Sequence, residues 1–103
     1  MMALEMLIGV NVIDDGSYQQ YREKMTPILH TYGGGFGYDF VVSDVLKNPS
    51  ANAINRVFTI YFPDETTKDA FFADDDYNAI REKYYAPAVT SATILASYQI
   101  DKT

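Results

Sequence analysis

The chain has 103 residues, a formal net charge of −6, no cysteine and one histidine, and 48% of its residues are apolar. The negative charge argues against binding to nucleic acid and to an anionic membrane surface, because both kinds of partner need a basic face. The lack of cysteine excludes disulfides and thiolate metal sites, and we expect neither a metal ion nor another cofactor. The length is typical of one domain, residues 1–103.

The N-terminal segment MMALEMLIGVNVI predicts a strand and no targeting signal. Its apolar run is too short to span a bilayer and has no basic region before it, so we expect a cytoplasmic protein. Residues 6–13 are apolar at nearly every position, which is typical of a strand covered on both faces. Residues 17–31 then predict an amphipathic helix, with Ser17 in capping-box spacing at its start and a kink or a tightened turn at Pro27.

The glycine-rich stretch HTYGGGFGYDF, residues 30–40, follows this helix. Gly33 comes directly after the last inward-facing residue, where a helix commonly ends in a left-handed residue. Phosphate-binding loops instead lie between a strand and the N-terminus of a helix, where free N–H groups point outward. The stretch therefore predicts the end of a helix and the entry into a strand, with the rim of a pocket as a further role.

After a strand and a hairpin loop, the sequence predicts two more strands with a second helical region between them. Asp64 is expected to cap a helix that carries Phe71 inward, and the run Asp74–Asp76 predicts a turn that caps the next helical segment. Isolated aspartate clusters of this kind seldom have the regular ligand spacing of calcium loops. The predicted strands after the first helix are residues 36–46, 56–62 and 90–100, with a loop at 47–50 in the hairpin.

The predicted order is strand, helix, strand, strand, helix, strand, which is the ferredoxin-like βαββαβ arrangement. We therefore expect an α+β fold with a four-stranded antiparallel sheet and both helices on one face. The other face of the sheet would be bare, although the strands are apolar on both faces. A second copy of the same sheet is the simplest cover, so we predict a homodimer that associates through the sheets.

Four short motifs occur in a characteristic order along the chain. They are Tyr18-x-x-Tyr21-Arg22, Tyr32-Gly33-Gly34, Arg56-Val57-x-x-Ile60-x-Phe62-Pro63, and Asp76-Tyr77 with Arg81 one turn later. Together they resemble domain-of-unknown-function family 1330, over about residues 6–99. The sequence departs from the usual family pattern at Phe36 with the third glycine before it, and at Tyr61, where the family often has a glutamate.

The resemblance implies a small bacterial protein of the dimeric α/β-barrel superfamily. It implies the fold and the dimer, but it does not imply an activity. The wider superfamily includes cofactor-free monooxygenases, lactone isomerases, haem-degrading enzymes and non-catalytic binding proteins, and the fold does not choose among them.

Each predicted strand has one face that is more polar, and the two faces alternate with period two. The polar positions are Asn11, Asp39, Thr59 with Tyr61, and Thr93 with Ser97. If they gather on one side of the sheet, they resemble the directed polar groups of a ligand pocket. We interpret Asp39 as a candidate base whose pKa burial raises, and Arg56 as a group that holds a carboxylate or an enolate.

His30 or Tyr61 would assist proton transfer in this interpretation. The candidate ligand-binding residues are Asn11, Tyr21, Tyr32, Tyr38, Thr59, Tyr77 and Arg81. Structural alternatives remain open: Asp39 and Arg56 can pair on adjacent strands, His30 can interact with a helix C-terminus, and the helical tyrosines can belong to the core.

Two functions agree with these observations. In the first, a homodimer binds a small apolar or aromatic molecule in a cleft between helices and sheet, and acts on it as a cofactor-free monooxygenase or isomerase. In the second, the dimer is a non-enzymatic binding or structural module.

Overall fold

The computed structural model describes residues 2–102, which form one sheet with helices packed on one of its faces. The strands are β1 (Met2–Val12), β2 (Gly35–Val41), β3 (Arg56–Phe62) and β4 (Val89–Asp101). The helices are α1 (Asp15–Thr31), α2 (Glu65–Phe72) and α3 (Asp75–Ile80), and a π-helical turn at Arg81–Tyr85 continues α3. Neighbouring strands in the order β2-β3-β1-β4 are all antiparallel, which confirms the predicted ferredoxin-like α+β fold.

The boundaries of β1 and β2 differ from the prediction. The first strand begins at Met2 rather than at residue 6, and the second ends at Val41 rather than at residue 46. Residues 42–55 form a loop, in which the Asn48 side chain accepts a hydrogen bond from the Ser50 N–H at 2.9 Å. This local hydrogen bond is typical of an Asx turn and gives the chain an alternative to continued strand pairing.

Helix α1 begins earlier than predicted because Asp14 is its N-cap. The Asp14 carboxylate accepts a hydrogen bond from the Ser17 N–H at 3.1 Å, so the predicted capping box at Ser17 is wrong. The helix continues through Pro27. Gly33 has φ 76° just beyond the helix, which confirms the predicted left-handed residue at its C-terminal end.

Aspartates begin both short helices, as predicted. Asp64 accepts a hydrogen bond from the Thr67 N–H at 2.7 Å, and Asp74 accepts one from the Tyr77 N–H at 2.9 Å. Asp74 also accepts a hydrogen bond from the Tyr32 hydroxyl at 2.8 Å. Hydrogen bonds from the Thr67 side chain and N–H lower the pKa of Asp64. Those from the Tyr77 N–H and the Tyr32 hydroxyl lower the pKa of Asp74. Through Asp74, the end of α1 is tied to the start of α3.

The core lies between the helices and one face of the sheet, which we call the covered face. Its largest fully buried side chains are Val10, Tyr18, Met25, Leu29, Phe62 and Phe71. The opposite face of the sheet, which we call the open face, has no helix against it in the described part of the chain. None of the helices in residues 2–102 is long and apolar enough to cross a membrane.

An irregularity in β2 changes which of its side chains share a face. The strand holds one extra residue between Phe36 and Asp39, because their partners on β3 are only two residues apart. Phe36 and Asp39 therefore both lie on the covered face, while Tyr38 and Phe40 stack on the open face with ring centroids 5.7 Å apart. Simple alternation with period two would place Phe36 on the same face as Tyr38, and the structure places them on opposite faces.

Thr59 on β3 stabilises the irregularity. Its hydroxyl accepts a hydrogen bond from the Tyr38 N–H at 2.8 Å, although the Thr59 residue itself is only 3% exposed. A Cβ at Gly37 would collide with the same hydroxyl, so this position requires a glycine. The sequence predicted Thr59 as a ligand-binding residue, but its hydroxyl already accepts a hydrogen bond from the backbone.

A second irregularity lies in β4. Thr93 pairs with Gly9, whereas Ser97 pairs with Met6, which is buried in the core, so Thr93 and Ser97 are on opposite faces. The prediction that the polar positions gather on one side of the sheet is therefore wrong. Asp39 and Ser97 lie on the covered face, and the others, Asn11, Thr59, Tyr61 and Thr93, lie on the open face.

Candidate functional site

A cavity of about 380 Å³ lies between the helices and the covered face of the sheet. This volume is at the lower end of the range for small-molecule sites, which are mostly apolar with a few placed polar groups. The apolar walls consist of Met6, Ile8, Met25, Phe36, Phe58, Ile60, Phe72, Ala92 and Ile94. The polar part of the lining comes from four tyrosines, Tyr18, Tyr21, Tyr77 and Tyr85, and from four charged side chains, Arg22, Lys68, Asp69 and Arg81.

The tyrosines supply neutral hydroxyl groups. Tyr21 and Tyr77, both predicted as ligand-binding residues, share a hydrogen bond of 2.9 Å between their hydroxyl oxygens. Burial raises the pKa of Tyr77 and raises that of Tyr21 well above its ordinary value. Burial has the same effect on the pKa of Tyr18 and Tyr85. At neutral pH these hydroxyls are therefore hydrogen-bond donors and acceptors, and they do not act as bases.

Arg22 is a cation in the wall of this largely apolar cavity. Its guanidinium carbon lies 3.9 Å from the centroid of the Phe36 ring and 4.6 Å from that of Phe58. Such contacts with ring faces stabilise a desolvated cation. The Arg22 Nε donates a hydrogen bond to the Tyr18 hydroxyl at 3.0 Å. The Arg22 Nη2 is buried and has no hydrogen-bond partner among the described residues.

Asp39 and Arg56 form an ion pair beside this arginine. Arg56 donates from Nε to Asp39 Oδ1 at 3.0 Å and from Nη2 to Oδ2 at 2.8 Å, while the Arg22 Nη1 is 3.4 Å from Oδ2. The hydrogen bonds from Arg56, together with the charge of Arg22, lower the pKa of Asp39. The predicted rise of this pKa is therefore wrong, and the alternative of a pair between adjacent strands is confirmed.

The remaining charges in the cavity wall belong to the second helical region. Lys68 forms an ion pair with Asp69, with 3.3 Å between Nζ and Oδ1. Arg81 lies with its guanidinium carbon 5.2 Å from the centroid of the Tyr85 ring. No ion pair of Arg81 occurs within residues 2–102. The cavity wall therefore carries more positive than negative charge, in a protein whose formal net charge is −6.

The structure does not bring the four predicted catalytic residues together. His30 is exposed in the last turn of α1, where a basic residue suits the negative end of the helix dipole. Tyr61 lies on the open face, with the Lys102 Nζ 4.0 Å from its ring centroid. Of the four, only Asp39 and Arg56 lie near the cavity. They do not line it themselves, but Asp39 contacts Arg22, which does.

Four of the predicted ligand-binding residues also lie outside the cavity wall. Asn11 donates a hydrogen bond to the Thr90 hydroxyl at 2.8 Å, and Tyr32 is bound to Asp74. Tyr38 and Thr59 belong to the open face. The other three, Tyr21, Tyr77 and Arg81, line the cavity.

Sequence reasoning missed Arg22 as a site residue, although a signal for it exists. Arg22 follows Tyr18 by four residues and precedes Met25 by three, so helical spacing places it on the inward stripe of α1. A cation on such a stripe indicates a buried charge that needs partners. Within residues 2–102, no group of histidine, aspartate and glutamate side chains is arranged to hold a metal ion.

The open face carries large apolar side chains in contact with solvent. Tyr38 is 68% exposed, Phe40 is 54% exposed and Leu95 is 46% exposed. The loop of residues 42–55 adds Leu46, which is 89% exposed. Exposed apolar surface of this kind is typical of an interaction site.

The family model for the domain of unknown function DUF1330 matches residues 6–98. The chain belongs to this family. The match confirms the resemblance seen in the motifs. No curated protein matches the sequence.

Solved structures similar to this DUF1330 protein share its fold at low sequence identity. A protein of unknown function from Rhodopseudomonas palustris has a TM-score of 0.73 and 17% identity, covering 98% of this chain and 82% of that chain. A hydroxynitrile lyase from Passiflora edulis has a TM-score of 0.66 and 10% identity, covering 98% and 95% respectively. A dimeric protein of unknown function and ferredoxin-like fold from Bacteroides fragilis has a TM-score of 0.59 and 12% identity, covering 95% and 96%.

Proposed function

We propose that this DUF1330 protein is a homodimer in which each subunit binds a small apolar or aromatic molecule in the cavity between helices and sheet. The observation that carries the proposal is the cavity itself. Its volume of about 380 Å³, its aromatic and aliphatic walls and its few convergent donors are the features of a small-molecule site. A cytoplasmic location, and the lack of nucleic-acid and membrane partners, stay predictions from the sequence.

The open face supports the dimer. Tyr38, Phe40 and Leu95 expose apolar area on the side of the sheet that no helix covers in the described chain. A second copy of the same face would bury this area in an isologous contact. The similar protein from Bacteroides fragilis is described as dimeric, which agrees with this proposal.

A cofactor-free isomerisation or oxygenation is the second candidate function. Arg22 and the tyrosine hydroxyls all line the same space, where their donors would stabilise the negative charge of an enolate. The base is the weak point of this candidate, because the lowered pKa of Asp39 makes its carboxylate a poor proton acceptor. The geometry therefore supports binding better than catalysis, and the likeness to a hydroxynitrile lyase supports the fold but not its reaction.

Native mass spectrometry of the freshly purified protein tests both parts of the proposal. We expect a dimer that carries a discrete additional mass from a retained ligand. A monomer would contradict the dimer. A dimer that carries no ligand, and that binds neither 2-naphthoate nor 2-naphthamide, would contradict the binding function.

A pair of variants tests which face forms the dimer. Phe40→Glu places a charge on the open face. Val41→Glu places the same charge at the next residue of β2, which lies opposite Arg56 in the register and therefore on the covered face. The Val41 side chain is 83% exposed, so the position has room for a charged group. We expect Phe40→Glu to yield monomers in analytical ultracentrifugation and Val41→Glu to remain dimeric. Equal behaviour of the two variants would contradict association through the open face.

A further inference from the structure

The unpartnered Arg22 Nη2 indicates what kind of ligand the cavity accepts, an inference that rests on the binding function proposed above. Two of the three guanidinium nitrogens face protein groups, since Nε donates to the Tyr18 hydroxyl and Nη1 faces Asp39. The third, Nη2, is buried without an acceptor in the described chain. A buried donor without a partner costs free energy, and an acceptor brought by a ligand removes that cost.

The protein neutralises the charge around Arg22 only in part. Asp39 is the carboxylate in contact with Arg22, but its two oxygens already accept both short hydrogen bonds from Arg56. The longer contact of 3.4 Å with Arg22 leaves this cluster of two arginines and one aspartate with a surplus positive charge. Arg81 adds a second cation to the same cavity wall. The site is thus complementary to an anion, in a protein that is acidic as a whole.

The shape and polarity of the wall restrict the anion further. The Phe36 and Phe58 rings lie against the Arg22 guanidinium, so an anionic group bound to this guanidinium brings the rest of its molecule against aromatic and aliphatic side chains. The hydroxyls of Tyr21 and Tyr77 offer further hydrogen bonds on the same wall. A hydrogen bond from a guanidinium N–H to a carboxylate is charge-assisted and roughly twice as strong as a neutral one.

We propose that the ligand is a small aromatic or apolar monocarboxylate, and that the guanidinium of Arg22, which lines the cavity, binds its carboxylate. Arg22 is then the specificity-determining residue of the site. The Asp39–Arg56 pair acts as a positioning unit, because it holds Arg22 from the β2 side without fully neutralising it.

Two probes of nearly equal size test this proposal. The probes are 2-naphthoate, which carries a carboxylate, and 2-naphthamide, which is neutral and otherwise similar in shape. Their dissociation constants are measured by titration while ¹H–¹⁵N correlation spectra of the labelled protein report whether backbone signals near the cavity move. We expect the carboxylate to bind at least about tenfold more tightly than the amide, because a charge-assisted hydrogen bond exceeds a neutral one by roughly that factor.

Two variants on the same helix separate the role of Arg22 from that of net charge. Arg22→Gln removes the cation in the cavity, and Lys24→Gln removes one from the exposed side of α1. We expect Arg22→Gln to abolish the preference for the carboxylate and Lys24→Gln to retain it. Retention of the preference in Arg22→Gln, or its loss in both variants, would overturn the assignment of Arg22.

The comparison of the two probes on the unmodified protein remains decisive even if Arg22→Gln does not fold. Equal affinity for the two probes, with signals of cavity residues moving in both titrations, would overturn the carboxylate proposal and leave the binding function intact. No binding of either probe would contradict both the carboxylate proposal and the binding function. Tighter binding of the carboxylate at the cavity supports both.

Discussion

Asp39→Asn is expected to destabilise the protein by removing one negative charge while keeping the shape of the side chain. Asp39 accepts two hydrogen bonds from Arg56, at 3.0 and 2.8 Å, and lies 3.4 Å from the Arg22 Nη1. Asparagine keeps one acceptor oxygen and turns an NH₂ group toward a guanidinium that can only donate. The variant therefore loses one hydrogen bond to Arg56 and leaves two arginines without an anion between them.

The size of the loss follows from the exposure of the pair. Hydrogen bonds to charged groups contribute about 1.5–3 kcal/mol when they are buried, whereas exposed ion pairs contribute about 0.2–1 kcal/mol. The side chains of Asp39 and Arg56 are 30% and 23% exposed, which places the pair between these limits. We expect a loss of about 1 kcal/mol in the free energy of unfolding, which corresponds to a decrease in Tm of about 4–8 °C.

The effect depends on pH with a defined sign. Hydrogen bonds from Arg56 and the charge of Arg22 hold the pKa of Asp39 below its unfolded value, which is about 3.9. The ionised carboxylate therefore stabilises the fold fully above the unfolded pKa, and this contribution is lost as the pH falls through the lower pKa of the folded state. The difference in Tm between wild type and Asp39→Asn should be largest near pH 7 and smaller at pH 2.

Thermal unfolding followed by circular dichroism measures this difference, at one fixed protein concentration because a dimer makes Tm depend on concentration. Asp44→Asn is the matched control, since Asp44 is exposed in the loop that follows β2. Equal Tm values for wild type and Asp39→Asn at pH 7 would refute the reasoning. A decrease in Tm that persists unchanged at pH 2, or an equal decrease in Asp44→Asn, would refute it as well.

Two further variants test local features of the fold. Gly33→Ala should cost about 1–2 kcal/mol in chemical denaturation, because φ is 76° at this position and a Cβ is strained there. Gly16→Ala, where a Cβ has space, should not destabilise, and a similar loss in both would contradict the role of the left-handed conformation. Tyr77→Phe should cost about 1–2 kcal/mol, because it leaves the buried Tyr21 hydroxyl without its partner at 2.9 Å. The double variant with Tyr21→Phe should recover part of that loss, and strictly additive losses would contradict this coupling.

The elements with clear periodicity could be predicted from the sequence. Strand β3 occupies the predicted residues 56–62, because its aromatic and β-branched residues lie between strong turn signals. The caps at Asp64 and Asp74 could be predicted as well, since each depends on residues only three positions apart. The start of α1 could not, because Asp14 and Ser17 are both good N-caps and local chemistry alone does not rank them.

The site was harder to predict because it depends on pairing between strands. Alternation with period two assigned Asp39 to the same face as Gly37, but the extra residue in β2 is visible only in its register with β3. Arg22 was missed for a different reason. A charged residue on a helix is usually exposed, and its contacts with Phe36 and Phe58 join parts of the chain that are distant in sequence. Tyr21, Tyr77 and Arg81 reached the cavity wall because helical spacing alone decides their direction.

The extra residue in β2 determines which face of the sheet each later side chain of the strand occupies. After this residue, Asp39 lies on the covered face and pairs with an arginine, whereas Phe40 lies on the open face and is exposed to solvent. If the same residues alternated without this irregularity, the two assignments would be exchanged, leaving a carboxylate among apolar groups on one side and a phenylalanine between two arginines on the other. Substitutions in β2 can therefore alter one surface at a time, whereas loss of the irregularity in the same sequence would alter both surfaces at once.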